Sequence, residues 1–114
     1  MMRLTERFTR KVTLYKPEKV ESDYVGTELA LQPIGEISAD IQDAESKLMI
    51  MQYGSKVSRM KIAYTTAEGG KAVREGFVIE LDSKLYKVIS VKNRIRHCLL
   101  TLEEDDYGYT GRRT

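Results

Sequence analysis

A single histidine, His97, and a single cysteine, Cys98, stand next to each other in this chain of 114 residues. One of each excludes an intramolecular disulfide, a Cys/His metal site and a dithiol redox pair by counting. A Ser-His-Asp triad would have to use His97, and no nucleophile elbow accompanies it. Carboxylates are plentiful, but Glu103, Glu104, Asp105 and Asp106 run consecutively. Adjacent like charges form a solvated, mutually repelling face, not a separated acid and base. Gly69-Gly70-Lys71 lacks the spacing of a phosphate loop, and no dinucleotide fingerprint occurs. These residues give no support to catalysis, and neither a metal nor a cofactor is expected.

Other residues could make contacts. Lys92 to His97, KNRIRH, is the densest basic patch. On a turn between strands it could touch phosphate, or serve as a charged strand edge that blocks aggregation. Tyr107 and Tyr109 flank Gly108, and Arg112 and Arg113 follow. Aromatic area beside bidentate donors is interface chemistry. Tyr15, Tyr64 and Tyr86 could offer strand-borne rings to single-stranded nucleic acid. Against that stands the near-balanced formal charge of +2, which does not suit a general phosphate binder.

The elements that would carry these residues are mostly strands. Val12 and Leu14 alternate with polar neighbours from Thr9 to Lys16, and Pro17 is expected to end that strand. Pro17 to Pro33 reads as a long loop, solvated or packed on a partner through Tyr24, Leu29 and Leu31. Ile34 to Gln42 is a second strand, with Ile37, Ala39 and Ile41 on one face. Val57 to Thr65 is a third, with Met60, Ile62 and Tyr64 on one face. Thr66 to Glu75 reads as a turn or mobile loop. Phe77 to Asp82, Leu85 to Val91 and Arg96 to Glu103 complete the set. Their apolar faces are Phe77, Ile79 and Leu81; Leu85, Ile89 and Val91; and Cys98, Leu100 and Leu102. Asp82-Ser83-Lys84 reads as a tight hairpin turn, and the last four strands as a meander. His97 then falls on the outer face and Cys98 in the core.

Between the second and third strands the period changes. Asp43 to Tyr53, DAESKLMIMQY, reads as a short helix with Asp43 as N-cap, Glu45 in the first turn and Gly54 at C′. Ala44, Leu48 and Met51 fall on one side, and Met49, Ile50 and Tyr53 on the other. Such a helix is either sunk into its own domain or turns its second face to another subunit. The whole is a mainly β chain: a small antiparallel β-barrel of about six strands with one short inserted helix. Residues 1–103 form a single domain, and 104–114 a flexible C-terminal tail. The longest apolar run is four residues, Leu48 to Met51, against about 20 for a membrane-spanning helix. The start, MMRLTERFTRK, has no apolar h-region, so no signal peptide is expected.

In order and spacing these segments resemble the phage head-tail joining proteins, also called head-tail adaptors, head-closure or stopper proteins. MRLTERFTRKVTLYKP from Met2 resembles the opening basic stretch and strand of that family. SDYVGTE at Ser22 to Glu28 resembles its Gly/Tyr-rich loop, without the DGYGG and downstream tryptophan often found there. ISADIQDAESKLMIMQYG from Ile37 resembles its strand running into a short helix. KVSRMKIAYT from Lys56 resembles its basic-apolar strand, and KLYKVISVKNRIRHCLLTLEE from Lys84 its closing hairpin. The resemblance implies a virion structural protein without an active site. Such a protein forms a ring below the portal, closes the filled capsid and docks the tail. It implies a portal or adaptor protein above, a tail-completion or tail-tube protein below, and packaged DNA in the channel, plugged by the Pro17 to Pro33 or the Thr66 to Glu75 loop. It places the protein in the host cytoplasm during assembly and then in the virion neck, of a phage or a prophage. Tyr24, Leu29, Leu31, Met49, Ile50, Tyr53, Tyr107, Tyr109, Arg112 and Arg113 are the expected interface residues. The alternatives are a small barrel of the OB type on single-stranded nucleic acid, and a tail-terminator or minor tail protein.

Overall fold

The computed structural model describes residues 9–22, 26–44, 47–107 and 109. Six antiparallel strands close into a barrel in the order β1-β2-β3-β6-β5-β4. They are β1 (Arg10–Ser22), β2 (Gly26–Asp43), β3 (Met60–Thr66), β4 (Val78–Leu81), β5 (Lys84–Asn93) and β6 (His97–Glu104). Helix α1 (Lys47–Tyr53) and a 3-10 helix (Gly54–Arg59) link β2 to β3, and a single turn, α2 (Ala67–Gly70), follows β3. The mainly β barrel with an inserted short helix is therefore the observed architecture. Of the last four strands only β4, β5 and β6 form a meander, because β3 pairs with β6 and β4 closes the barrel on β1.

The expected alternation holds for most of the core. Val12, Leu14, Ile37, Ala39, Ile79, Leu81, Cys98, Leu100 and Leu102 are all buried in one cluster, with Phe77 and Ile41 packed against it. Asp82 and Ser83 both take positive φ, 50° and 66°. That is the two-residue primed turn whose twist matches the flanking strands.

One strand departs from its expected face and a second switches face before its expected start, because each carries a bulge. Val88 pairs with Leu102 and Ser90 with Thr101, so Ile89 has no partner. An extra residue flips the parity of the strand beyond it. The inward set of β5 is therefore Tyr86, Val88 and Val91, not Leu85, Ile89 and Val91. In the first hairpin Leu14 pairs with Gly35 but Tyr15 with Pro33, leaving Ile34 over. Leu31 thus leaves the interior and joins Val78 and Tyr15, which alternates outward from Leu14, in a second cluster, with Leu85 and Tyr109 packed on it.

The segment read as a loop from Pro17 to Pro33 is instead an arm of paired strand. β1 does not end at Pro17, since pairing with β2 continues to Ser22↔Gly26. The prolines occupy the pairs Tyr15↔Pro33 and Pro17↔Leu31, two apart in register. Both therefore belong to one class of the alternating ladder, and proline fits the class whose N–H groups point away from the partner strand. Among the described residues, β1 beyond Tyr15 has no second neighbouring strand to deprive of a bond. The arm contributes to a long dimension of 52 Å, against 31 and 23 Å for the others.

The third strand also turns the other way. Ala63 and Thr65 are fully buried and pair with Leu100 and Cys98, whereas Ile62 and Tyr64 face a groove beneath α1. Small residues at these β3 positions leave room in the barrel for Leu14, Ile79, Leu100 and Leu102. The Thr65 hydroxyl is satisfied there, donating to the Ser38 carbonyl at 2.7 Å.

Two substitutions test this packing by urea midpoint. Leu100→Ala, at a site with no exposure, should cost about 2–5 kcal/mol. Ser83→Gly should gain about 0.5–1 kcal/mol by relieving the left-handed φ at the hairpin turn.

Candidate interaction surfaces

Helix α1 is shorter than expected. Asp43 ends β2 instead of capping the helix, and its carboxylate accepts a hydrogen bond from Lys61 Nζ. Glu45 lies outside the described residues. Gly54, at φ 63°, takes the left-handed conformation that ends the helix. The chain then tightens into the 3-10 turn, so β3 begins at Met60 and not at Val57.

The helix divides its apolar residues differently from the helical-wheel expectation. Met49 and Tyr53 line a groove of about 350 Å³ with Ile62, Tyr64 and Leu99 on the outer sheet face. Ile50 is 49% exposed and Met51 84%. The outward apolar pair is therefore Ile50 and Met51. Tyr53 is half-buried, and Met51 belongs to the opposite side from the one assigned by spacing. The leading residue Ala44 is buried.

Of the other expected interface residues, Leu31 has no exposure and belongs to the core, so it offers no contact surface in this fold. Leu29 is half-buried on the arm. Tyr24, Arg112 and Arg113 lie outside the described residues.

From the segment expected as a tail, Glu104 completes β6. Asp105 then ties the next residues together. Its N–H donates to the Leu85 carbonyl at 2.8 Å. Its carboxylate accepts from the Tyr107 N–H at 3.0 Å and from the Tyr109 hydroxyl at 2.6 Å. The two tyrosine rings lie 4.8 Å apart, tilted at 54°. Tyr109 covers the second cluster while Tyr107 remains 51% exposed. Burial, then the bond to Asp105, pushes the Tyr109 hydroxyl well above the usual tyrosine range.

The segment expected as a turn or mobile loop between β3 and β4 holds α2. Thr66 Oγ1 accepts from the Gly69 N–H at 2.9 Å and caps the turn. A Cβ built on Gly70 would come within 2.4 Å of Cys98 Cβ and 2.6 Å of its Sγ. Only glycine allows that approach, and it seats Val73, 1% exposed, in the main core cluster. Burial raises the Cys98 thiol pKa, which keeps the sulfur an unreactive thiol.

Tyr15 and Tyr86 are each only 6% exposed, so two of the three strand tyrosines present no ring face to a base. Tyr64 remains half-buried, 6.2 Å from the His97 ring. Among the described residues no group of three or more His, Cys, Asp or Glu could hold a metal ion. No helix there is long and apolar enough to cross a membrane.

No family model matches the chain, and no curated protein matches it. Among solved structures, the solution structure of protein SF1141 from Shigella flexneri 2a is similar at a TM-score of 0.64. The match covers 92% of this chain and 100% of that one, at 8% identity. At that identity the likeness carries the fold alone.

Alkaline pH tests the tail contact. A group with a raised native pKa contributes stability that is full below its ordinary pKa, 10.0 for tyrosine, and is lost as pH rises toward the native value. Stability should therefore fall above about pH 10, and Tyr109→Phe should flatten that part of the urea-midpoint profile. In a second test, maleimide should label Cys98 only at the unfolding transition. Gly70→Ala should lower the midpoint and advance labelling to lower urea.

Proposed function

We propose that this chain is a virion structural protein that joins a phage head to its tail. In this reading it sits as a ring below the portal, closes the filled capsid and gives the tail its docking surface. The reading rests first on the whole-chain resemblance in motif order and spacing. The barrel with its inserted helix is the architecture that resemblance calls for.

The observation that carries the reading is a pair of unlike outward features on one subunit. One is the exposed apolar pair Ile50 and Met51 on α1. The other is the β1–β2 arm, whose strands beyond Tyr15 and before Pro33 pair with each other among the described residues. A closed ring is built from head-to-tail contacts, which require two different surfaces that complement one another. An exposed methionine beside an isoleucine is an adaptable apolar contact, and a two-stranded arm can reach a neighbour. The proposed neighbours are a portal or adaptor protein above, a tail-completion or tail-tube protein below, and further copies of the chain at the sides.

Light scattering on the purified protein, alone and mixed with the portal protein of its own genome, is the test. A species that is monomeric alone and joins the portal complex is expected. A monomer that ignores the portal overturns the reading. Ile50→Asp, at a half-exposed site, should leave the urea midpoint within about 0.5 kcal/mol and abolish the joint complex.

A further inference from the structure

The ion pairs among the described residues use Arg10, Arg59, Lys61 and Lys84, which join Asp82, Glu104 and Asp106, Asp43, and Glu104. A second group of cations is left outside them. Lys71, Arg74 and Arg94 are all exposed and line one open depression of about 1030 Å³ between the α2 segment and the β5–β6 turn. Glu75 is the only acid in its wall, and Asn93 adds a polar group. Three cations against one carboxylate leave an excess of two. That equals the formal net charge of the entire chain, +2, so the remainder of the sequence is neutral. The near-balanced total conceals a one-sided placement.

The cations stand on fixed backbone. The Arg94 N–H donates to the His97 carbonyl at 2.8 Å and closes the β5–β6 turn. Arg74 Nη1 donates to the carbonyls of Lys71 at 2.6 Å and Val73 at 3.0 Å. This holds the guanidinium in the wall and leaves its other N–H groups to point elsewhere. Val73, anchored in the core, and Val91 support the floor. At the rim Ile95 is 96% exposed, between Arg94 and Arg96.

We propose that this depression binds the phosphate backbone of duplex nucleic acid. A concave wall with clustered cations focuses positive potential outward. Phosphodiesters spaced along a duplex match several fixed cations at once, with no base contact needed. An aliphatic tip between arginines can enter the minor groove beside those phosphates. This inference rests on charge placement in one subunit, and it stands or falls independently of ring assembly.

Fluorescence anisotropy of a labelled duplex DNA with the full-length protein tests it. With three phosphate contacts, affinity should fall about 40-fold between 50 and 200 mM salt. The double variant Lys71→Glu/Arg94→Glu should weaken binding at 50 mM salt by about tenfold or more and lower the salt slope by about two. Lys11→Glu/Lys56→Glu makes the same change in net charge at exposed sites outside the depression and should retain most of the binding. Far-UV circular dichroism establishes that each variant is folded, and Lys71→Gln/Arg94→Gln replaces the charge reversal if it is not. No binding at 50 mM salt overturns the proposal. So does equal weakening by both double variants, which would reflect net charge alone. Binding to phosphatidylserine vesicles without binding to duplex DNA also overturns it, and assigns the surface to a membrane.

Discussion

Three residue pairs, Thr13↔Glu80, Leu14↔Ile79 and Tyr15↔Val78, close the barrel. Every other feature depends on that short seam. It requires β1 to hydrogen-bond on both sides over a few residues and then to separate from β4. The bulge at Ile34 lies next to the seam, where its extra residue bends the strand and raises the local twist. Inside the seam, Val12 and Leu14 fill the barrel. On the outer face, Tyr15 of the seam and Leu31 beyond it pack with Val78. The Tyr15 hydroxyl donates to Glu80 across the seam at 3.0 Å. One bulge thus separates a closed barrel from an open arm within a single hairpin.

The narrow interior has a second consequence. Ala39, Ala63, Thr65 and Cys98 are fully buried, and Gly70 approaches Cys98 so closely that no side chain would fit between them. These small residues share the interior with Leu14, Ile79, Leu100 and Leu102, and further apolar side chains are buried on the outside of the barrel. Ile62, Tyr64 and Leu99 accordingly lie under α1, and Leu85 lies with Tyr109. The barrel carries apolar layers on its outside, each covered by a short segment of the same chain. The outer faces of those covering segments become the exposed apolar surface, as Ile50 and Met51 show.

Charge follows the same division. The carboxylate run from Glu103 to Asp106 is not a uniform repelling face, because its members have different tasks. Glu104 and Asp106 pair with Arg59, while Asp105 ties down the chain after β6. These exposed pairs add little stability, because water and salt screen them. They do neutralise the acids locally, whereas Lys71, Arg74 and Arg94 share their wall with the single acid Glu75.

Local sequence determined the strand type, the hairpin at Asp82-Ser83, the inward face of β6 and the presence of a helix between β2 and β3. Each of these is written in the spacing of neighbouring residues: period two for a half-buried strand, a turn signal between two such runs, a change of period at Asp43. Tertiary structure decided the rest. A bulge is a mismatch between two strands, so the parity switches at Ile34 and Ile89 are invisible in either strand alone. Pro17 reads as a stop because an isolated strand does not reveal which of its edges will be unpaired. The outward turn of Ile50 and Met51 required the sheet beneath α1 to be in place. The gathering of Lys71, Arg74 and Arg94 required β3–β4 and β5–β6 connections, distant in sequence, to meet beside one another. Periodicity reports which residues share a face of one element; only the closed barrel decides what that face meets.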